Sequence, residues 1–106
     1  MTFVKACNIN EISPMKMVYL DKQEILLVKL DDKIYAIEGL CSHKGAPLDE
    51  GELNDRVLTC PWHQSKFDVT SGKVVMVPFD EEVDGKVRNQ KKYEIKIQGE
   101  DVFVNV

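Results

Sequence analysis

Two short stretches hold most of the residues in this chain that are able to bind a metal. CSHKGAP, residues 41–47, sets Cys41 and His43 two positions apart, and CPWHQSKFD, residues 60–68, sets Cys60 and His63 three apart. The whole sequence has three cysteines and two histidines, so four of those five residues lie in the two stretches. Each stretch offers one soft thiolate and one imidazole, and a metal gathers ligands from two loops only if both bend sharply. Gly45, Pro47 and Pro61 supply the turn chemistry for those bends.

Three metal readings follow from this pattern. A Cys2His2 zinc finger places its two cysteines together, then its two histidines, around a helix. Here the order is interleaved and no helix is evident. A mononuclear iron or copper site accepts two thiolates and two imidazoles, but nothing in the spacing asks for it. A [2Fe–2S] cluster of mixed ligation takes two thiolates on one iron and two imidazoles on the other. The interleaved order suits it, since each loop then gives one ligand to each iron.

The elements that must position these loops read as strands. Val18 and Leu20 precede Gln23–Leu30, with Ile25, Leu26, Leu27 and Val28 in a row; Asp31-Asp32 reads as a turn, and 33–37 resumes with Ile34, Ala36 and Ile37. Near the end, Tyr93, Ile95 and Ile97 alternate with polar residues, turn through 98–101, and resume as Val102, Val104 and Val106. Asp84-Gly85 is a further hairpin turn candidate. Short strands are read at 56–59 and 67–69. No window has a helical period of useful length, and four prolines and six glycines punctuate the chain. The expectation is an all-β domain, an antiparallel sandwich or barrel of about eight to ten short strands. It spans residues 1–106, with a loop-built subdomain at about 39–73 mounted on the framework.

Composition narrows the function classes. Hydrophobic content of 43% and charged content of 30% are those of a globular protein. No stretch approaches the roughly 20 apolar residues of a membrane helix, and the first residues show no secretory pattern. A cytoplasmic, reducing setting is expected, where cysteines serve more often as ligands than as disulfides. The net charge of −4 argues against nucleic acid. Cys7 has no partner pattern and reads as a small buried residue. Asp49, Glu50, Glu52 and Asp55, like 80–84, read as solvated. The basic run 86–92 reads as pairing with that second acidic run across Asp84-Gly85.

The combination Cys-x-His-x-Gly with Cys-Pro-x-His-x-Ser-x-Phe-Asp resembles the signature of Rieske iron–sulfur proteins. The match runs through Cys41, His43, Gly45, Cys60, Pro61, His63, Ser65, Phe67 and Asp68 to Gly72. The resemblance covers essentially the whole chain and implies one [2Fe–2S] cluster. Cys41 and Cys60 would hold the buried iron, and His43 and His63 the outer one. Gly45, Pro61, Trp62, Ser65 and Phe67 would support the site. Rieske proteins of respiratory complexes carry two more cysteines that clip the loops; Ala46 and Trp62 stand there, so that disulfide is absent. Phe67 replaces a tyrosine whose hydroxyl bonds a cysteine sulfur, and fewer hydrogen bonds to the cluster lower its potential. Ser65 pulls the other way. The balance points to the lower part of the roughly −150 to +300 mV Rieske range. Gln64 stands where glycine is common.

By that resemblance the chain is a Rieske-type ferredoxin, an electron carrier and not an enzyme. Its partners would be a flavin-dependent reductase as donor and a terminal oxygenase or other redox acceptor. Three alternatives stay open beside it. They are a non-redox module on the same fold (zinc-bound or cluster-free), the small subunit of a larger oxidoreductase complex, and the Rieske domain of an oxygenase. The last needs two histidines and a carboxylate for a second iron, and both histidines here are already used. Trp62 reads equally as a lid over the site, a partner contact or loop packing. Lys44 and Lys66 read as solvated charges or as a basic rim that steers an acidic partner.

Overall fold

The computed structural model describes residues 2–42, 45–62, 64–76 and 88–106. Its architecture follows from one strand that water reaches on neither face. Gln23–Leu30 (β3) carries Ile25, Leu26, Leu27 and Val28 in succession, and all four are fully buried. Successive side chains of a strand point to opposite faces, so this run feeds two cores. Ile25 and Leu27 pack with Cys7, Ile34, Ala36, Val102 and Val104. Leu26 and Val28 pack with Ile37, Leu48, Leu58, Phe67 and both Cys41 and Cys60.

β3 lies between Met15–Leu20 (β2) and Lys33–Glu38 (β4), in a sheet completed by Lys92–Tyr93 (β9). The β2–β3 turn is the two-residue Asp21-Lys22, both with positive φ (50° and 62°), the geometry that matches hairpin twist. A second sheet, in the order β1-β11-β10, joins Phe3–Asn8 (β1), Asp101–Asn105 (β11) and Ile95–Gln98 (β10). A third runs β5-β6-β7-β8, through Glu52–Asn54, Val57–Thr59, Lys66–Asp68 and Val74–Met76. Every pairing is antiparallel. Helical structure among the described residues is limited to the 3-10 turns Ile9–Glu11 and Leu48–Glu50.

The all-β expectation holds, with eleven strands among the described residues rather than eight to ten. The excess has particular sources. β5 and β8 are three residues each, too short to show a period. The alternation from Tyr93 to Ile97 reads as one strand but serves two sheets. Tyr93 opposes Ala36 of β4, whereas Ile95 and Ile97 oppose Val104 and Val102 of β11. The Asp84-Gly85 turn and the acidic run 80–84 lie outside the described residues. Of the basic run, Arg88 pairs with Glu38.

Because adjacent residues of β3 serve different cores, their truncations should act independently. Leu26→Ala and Leu27→Ala are each expected to cost about 2–5 kcal/mol of unfolding free energy in urea titrations. The double variant measures how far the shared backbone couples the two cores: a loss close to the sum is expected, since the two side chains belong to different clusters.

Candidate metal centre

Both cysteine loops are closed by the same bond. After β4 the chain forms an isolated bridge between Leu40 and Pro47. Within that bridge the Cys41 N–H donates to the Ala46 carbonyl at 2.8 Å. After β6 the Cys60 N–H donates to the Ser65 carbonyl, also at 2.8 Å, in the connection between β6 and β7. Each loop thus begins at a cysteine and closes five residues later at a fully buried residue, Ala46 or Ser65.

The turns inside the loops need left-handed backbone. Gly45 supplies it in the first at φ +79°, where its N–H donates to the Cys41 carbonyl at 2.8 Å. In the second loop the left-handed residue is Gln64, at φ +63°. A side chain in that region meets a steric cost that glycine avoids, which accounts for a glycine being common at this position. The N–H of Gln64 reaches back to the Trp62 carbonyl at 2.6 Å, making a tight turn.

Cys41 and Cys60 are both free, both buried, and members of one packed cluster. Burial pushes the Cys60 thiol up to about 12, and the neighbouring Cys41 side chain adds to the shift. The Trp62 N–H, donating towards the Cys60 sulfur, opposes it only in part. A thiol held that high stays protonated at neutral pH until a cation displaces its proton. His43 and His63 lie outside the described residues, as does Lys44.

Ser65 is 0% exposed, and its Oγ has no hydrogen-bond partner among the described residues. Leaving a buried hydroxyl unpaired costs roughly 1–3 kcal/mol, so a native chain that keeps one calls for a further explanation. Phe67 is fully buried, whereas Pro61 is exposed and Trp62 is 51% exposed. Loop packing therefore does not account for Trp62. Lys66 is partly buried and donates from Nζ to Thr59 Oγ1 at 2.8 Å, along the sheet. Cys7 is a buried member of the other core. Asp49, Glu50, Glu52 and Asp55 are exposed.

One participant had no signal in the sequence. Gln90 stands among basic residues and is 3% exposed, with its side-chain amide bonded to the backbone around Cys41. An uncharged residue in a charged run gives no hint of such a role.

Three antiparallel sheets presenting two matched cysteine loops define a metal-binding β protein, and the comparisons give its family. The Rieske [2Fe-2S] domain matches residues 2–94, and the chain belongs to that family. The ferredoxin component of the naphthalene 1,2-dioxygenase system of Pseudomonas aeruginosa is 33% identical over 89 residues, covering 84% of this chain and 79% of that protein. The ferredoxin of carbazole 1,9a-dioxygenase from Nocardioides aromaticivorans IC177 superposes with a TM-score of 0.85 at 28% identity, over 98% of this chain and 97% of its own. A chain from the complex of reduced oxygenase and oxidized ferredoxin in carbazole 1,9a-dioxygenase gives 0.82 at 25% identity, over 96% and 91%.

The family's cofactor is a [2Fe–2S] cluster. The described residues fit it: a buried thiol pair offers two soft ligands, and the Ser65 hydroxyl offers a donor without a partner among the described residues.

Gln64→Gly should relieve about 1 kcal/mol of left-handed strain. A rise in the urea midpoint at unchanged slope is the expected result.

Proposed function

We propose that the chain is a soluble, cytoplasmic one-electron carrier. It works as one domain over residues 1–106 whose cluster-binding part spans about 39–73. Cys41 and Cys60 would hold one iron, and His43 and His63 the other. When bound, the cluster supplies reversible one-electron chemistry. The chain's own residues hold it, keep water from the thiolate side and tune it. The observation that carries the reading is the buried Cys41–Cys60 pair beside the unpaired Ser65 hydroxyl, in the loops that carry the family motif.

The donor would be a flavin-dependent reductase and the acceptor a terminal oxygenase. Support comes from the relatives: one is a component of a dioxygenase system, and one structural neighbour belongs to a complex with its oxygenase. This chain is not itself the oxygenase, because both of its histidines are assigned to the cluster. Around the loops, Leu40 next to Cys41 and Trp62 near Cys60 are exposed apolar side chains. A few such side chains suit the small, short-lived contacts of electron transfer.

The potential should be low for the family. Ala46 and Trp62 leave no disulfide clip, and Phe67 brings no hydroxyl to a cysteine sulfur. Ser65 remains as a donor to the cluster, and each such bond favours the electron-rich reduced state.

Electron paramagnetic resonance of the dithionite-reduced protein tests the reading. Mixed ligation gives a g-average below that of all-cysteine clusters, and His63→Cys should move the visible spectrum towards the all-thiolate type. A colourless, zinc-containing protein would end the electron-carrier reading. For Ser65→Ala the holoprotein's potential should fall in voltammetry. Stability of the cluster-free chain should hold or rise, since an unpaired buried hydroxyl is removed.

A further inference from the structure

Gln90 and Ser65 are the buried polar residues among those described, and they are opposites. Where the Ser65 hydroxyl is unpaired, the Gln90 amide is fully engaged. Its Oε1 accepts the Ser42 N–H at 2.8 Å, and its Nε2 donates to the carbonyls of Leu40 at 2.8 Å and Glu38 at 3.1 Å. Residues 40 and 42 flank Cys41, so one side chain grips the backbone on both sides of it.

The backbone of Gln90 reaches the other arm. Its N–H donates to the Gly72 carbonyl at 2.7 Å. Gly72, at φ +79°, lies so close that a Cβ there would strike the Gln90 carbonyl oxygen. Gly72 in turn donates its N–H to the Asp68 carbonyl, at the end of the strand that leaves the Cys60 loop. A parallel tie runs beside this one. Ser42 Oγ donates to the Arg88 carbonyl at 2.6 Å and accepts the Arg88 N–H at 3.2 Å. Arg88 is itself held by both oxygens of Glu38, at 2.6 and 2.9 Å. That hydrogen bonding keeps the Glu38 carboxyl below its ordinary range, against the opposing effect of burial.

We propose that Gln90 is a positioning residue for the cluster: its side-chain amide sets the Cys41 loop against the Cys60 arm. The inference rests on the reading of Cys41 and Cys60 as ligands. The residue type matters, because only a primary amide accepts one bond and donates two from a single planar group. Glutamate lacks the donors. Methionine, of similar length, lacks both functions and leaves a buried N–H and two carbonyls unpaired.

The test uses the holoproteins of the wild type, Gln90→Met and Tyr93→Phe. The last removes a framework bond, Tyr93 Oη to Gln23 Oε1 at 2.7 Å, that holds the backbone of neither loop. Cluster loss to a chelator is followed by visible absorption beside the melting temperature. Gln90→Met is expected to lose its cluster about tenfold faster than the wild type, as for a net loss of about 1.4 kcal/mol. Its resonance lines should broaden at an unchanged g-average, while Tyr93→Phe stays within about twofold. Equal acceleration in the two variants at equal loss of melting temperature would make Gln90 merely structural and overturn the proposal. Should Gln90→Met not be isolated folded, Gln90→Glu, which keeps the acceptor and loses both donors, takes its place. It should lose cluster at least about threefold faster, and an unchanged rate would overturn the proposal. If the wild type itself lacks the mixed-ligand signal, the ligand reading has failed, an outcome distinct from a normal wild type with an unaffected Gln90→Met.

Discussion

The two-sided burial of β3 is the constraint on which the rest depends. A strand with Ile25, Leu26, Leu27 and Val28 in succession cannot show either face to water, so its sheet has to be covered twice. One cover, closed by β1, β10 and β11, is framework: its core holds aliphatic residues, Tyr93 and Cys7. The other is the layer of short strands and loops that carries Cys41 and Cys60. Leu26 and Val28 thus pack in the same cluster as the two thiols. The apolar setting that raises the Cys60 thiol is one side of the same strand that holds the fold together.

Within that layer the chain solves one geometric problem twice. Each loop starts at a cysteine, makes a left-handed turn at the fourth residue after it, and closes on the cysteine's own N–H. The solutions differ in quality. Gly45 takes its conformation freely, and a Cβ there would meet open space. Gln64 does so against its side chain. The loops also differ in what lies at the closing position. Ala46 is apolar and inert, whereas Ser65 brings a hydroxyl with no partner among the described residues. That asymmetry fits a site whose second partner is not protein.

Local features were legible in the sequence and distant ones were not. The β3–β4 hairpin could be read because its apolar run and its Asp31-Asp32 turn are adjacent. The cysteine–histidine loops could be read because spacing alone carries their chemistry. β1 escaped notice, since FVKACN is only shallowly buried and its partner lies near residue 103. The switch of sheets at Glu94 breaks no alternation and so leaves no mark. Gln90 has meaning only where the chain returns to Leu40 and Ser42, some fifty positions away in sequence. The exposure of Trp62 likewise depends on how its loop is mounted, which residue type does not tell.

The pairing of β1 with β11 has a consequence for how the chain is made. Phe3 opposes Asn105 and Val4 opposes Val104, so the framework sheet closes only when strands about a hundred residues apart in sequence meet. The framework core draws on β1 and β11, through Cys7, Val102 and Val104, and cannot condense before β11 is made. Both cysteine loops emerge earlier, before the backbone of residue 90 that abuts Gly72 has been built. Iron delivered to the nascent chain would meet thiols without their scaffold. The scaffold of the two loops is therefore complete only once β9 and β11 have been made.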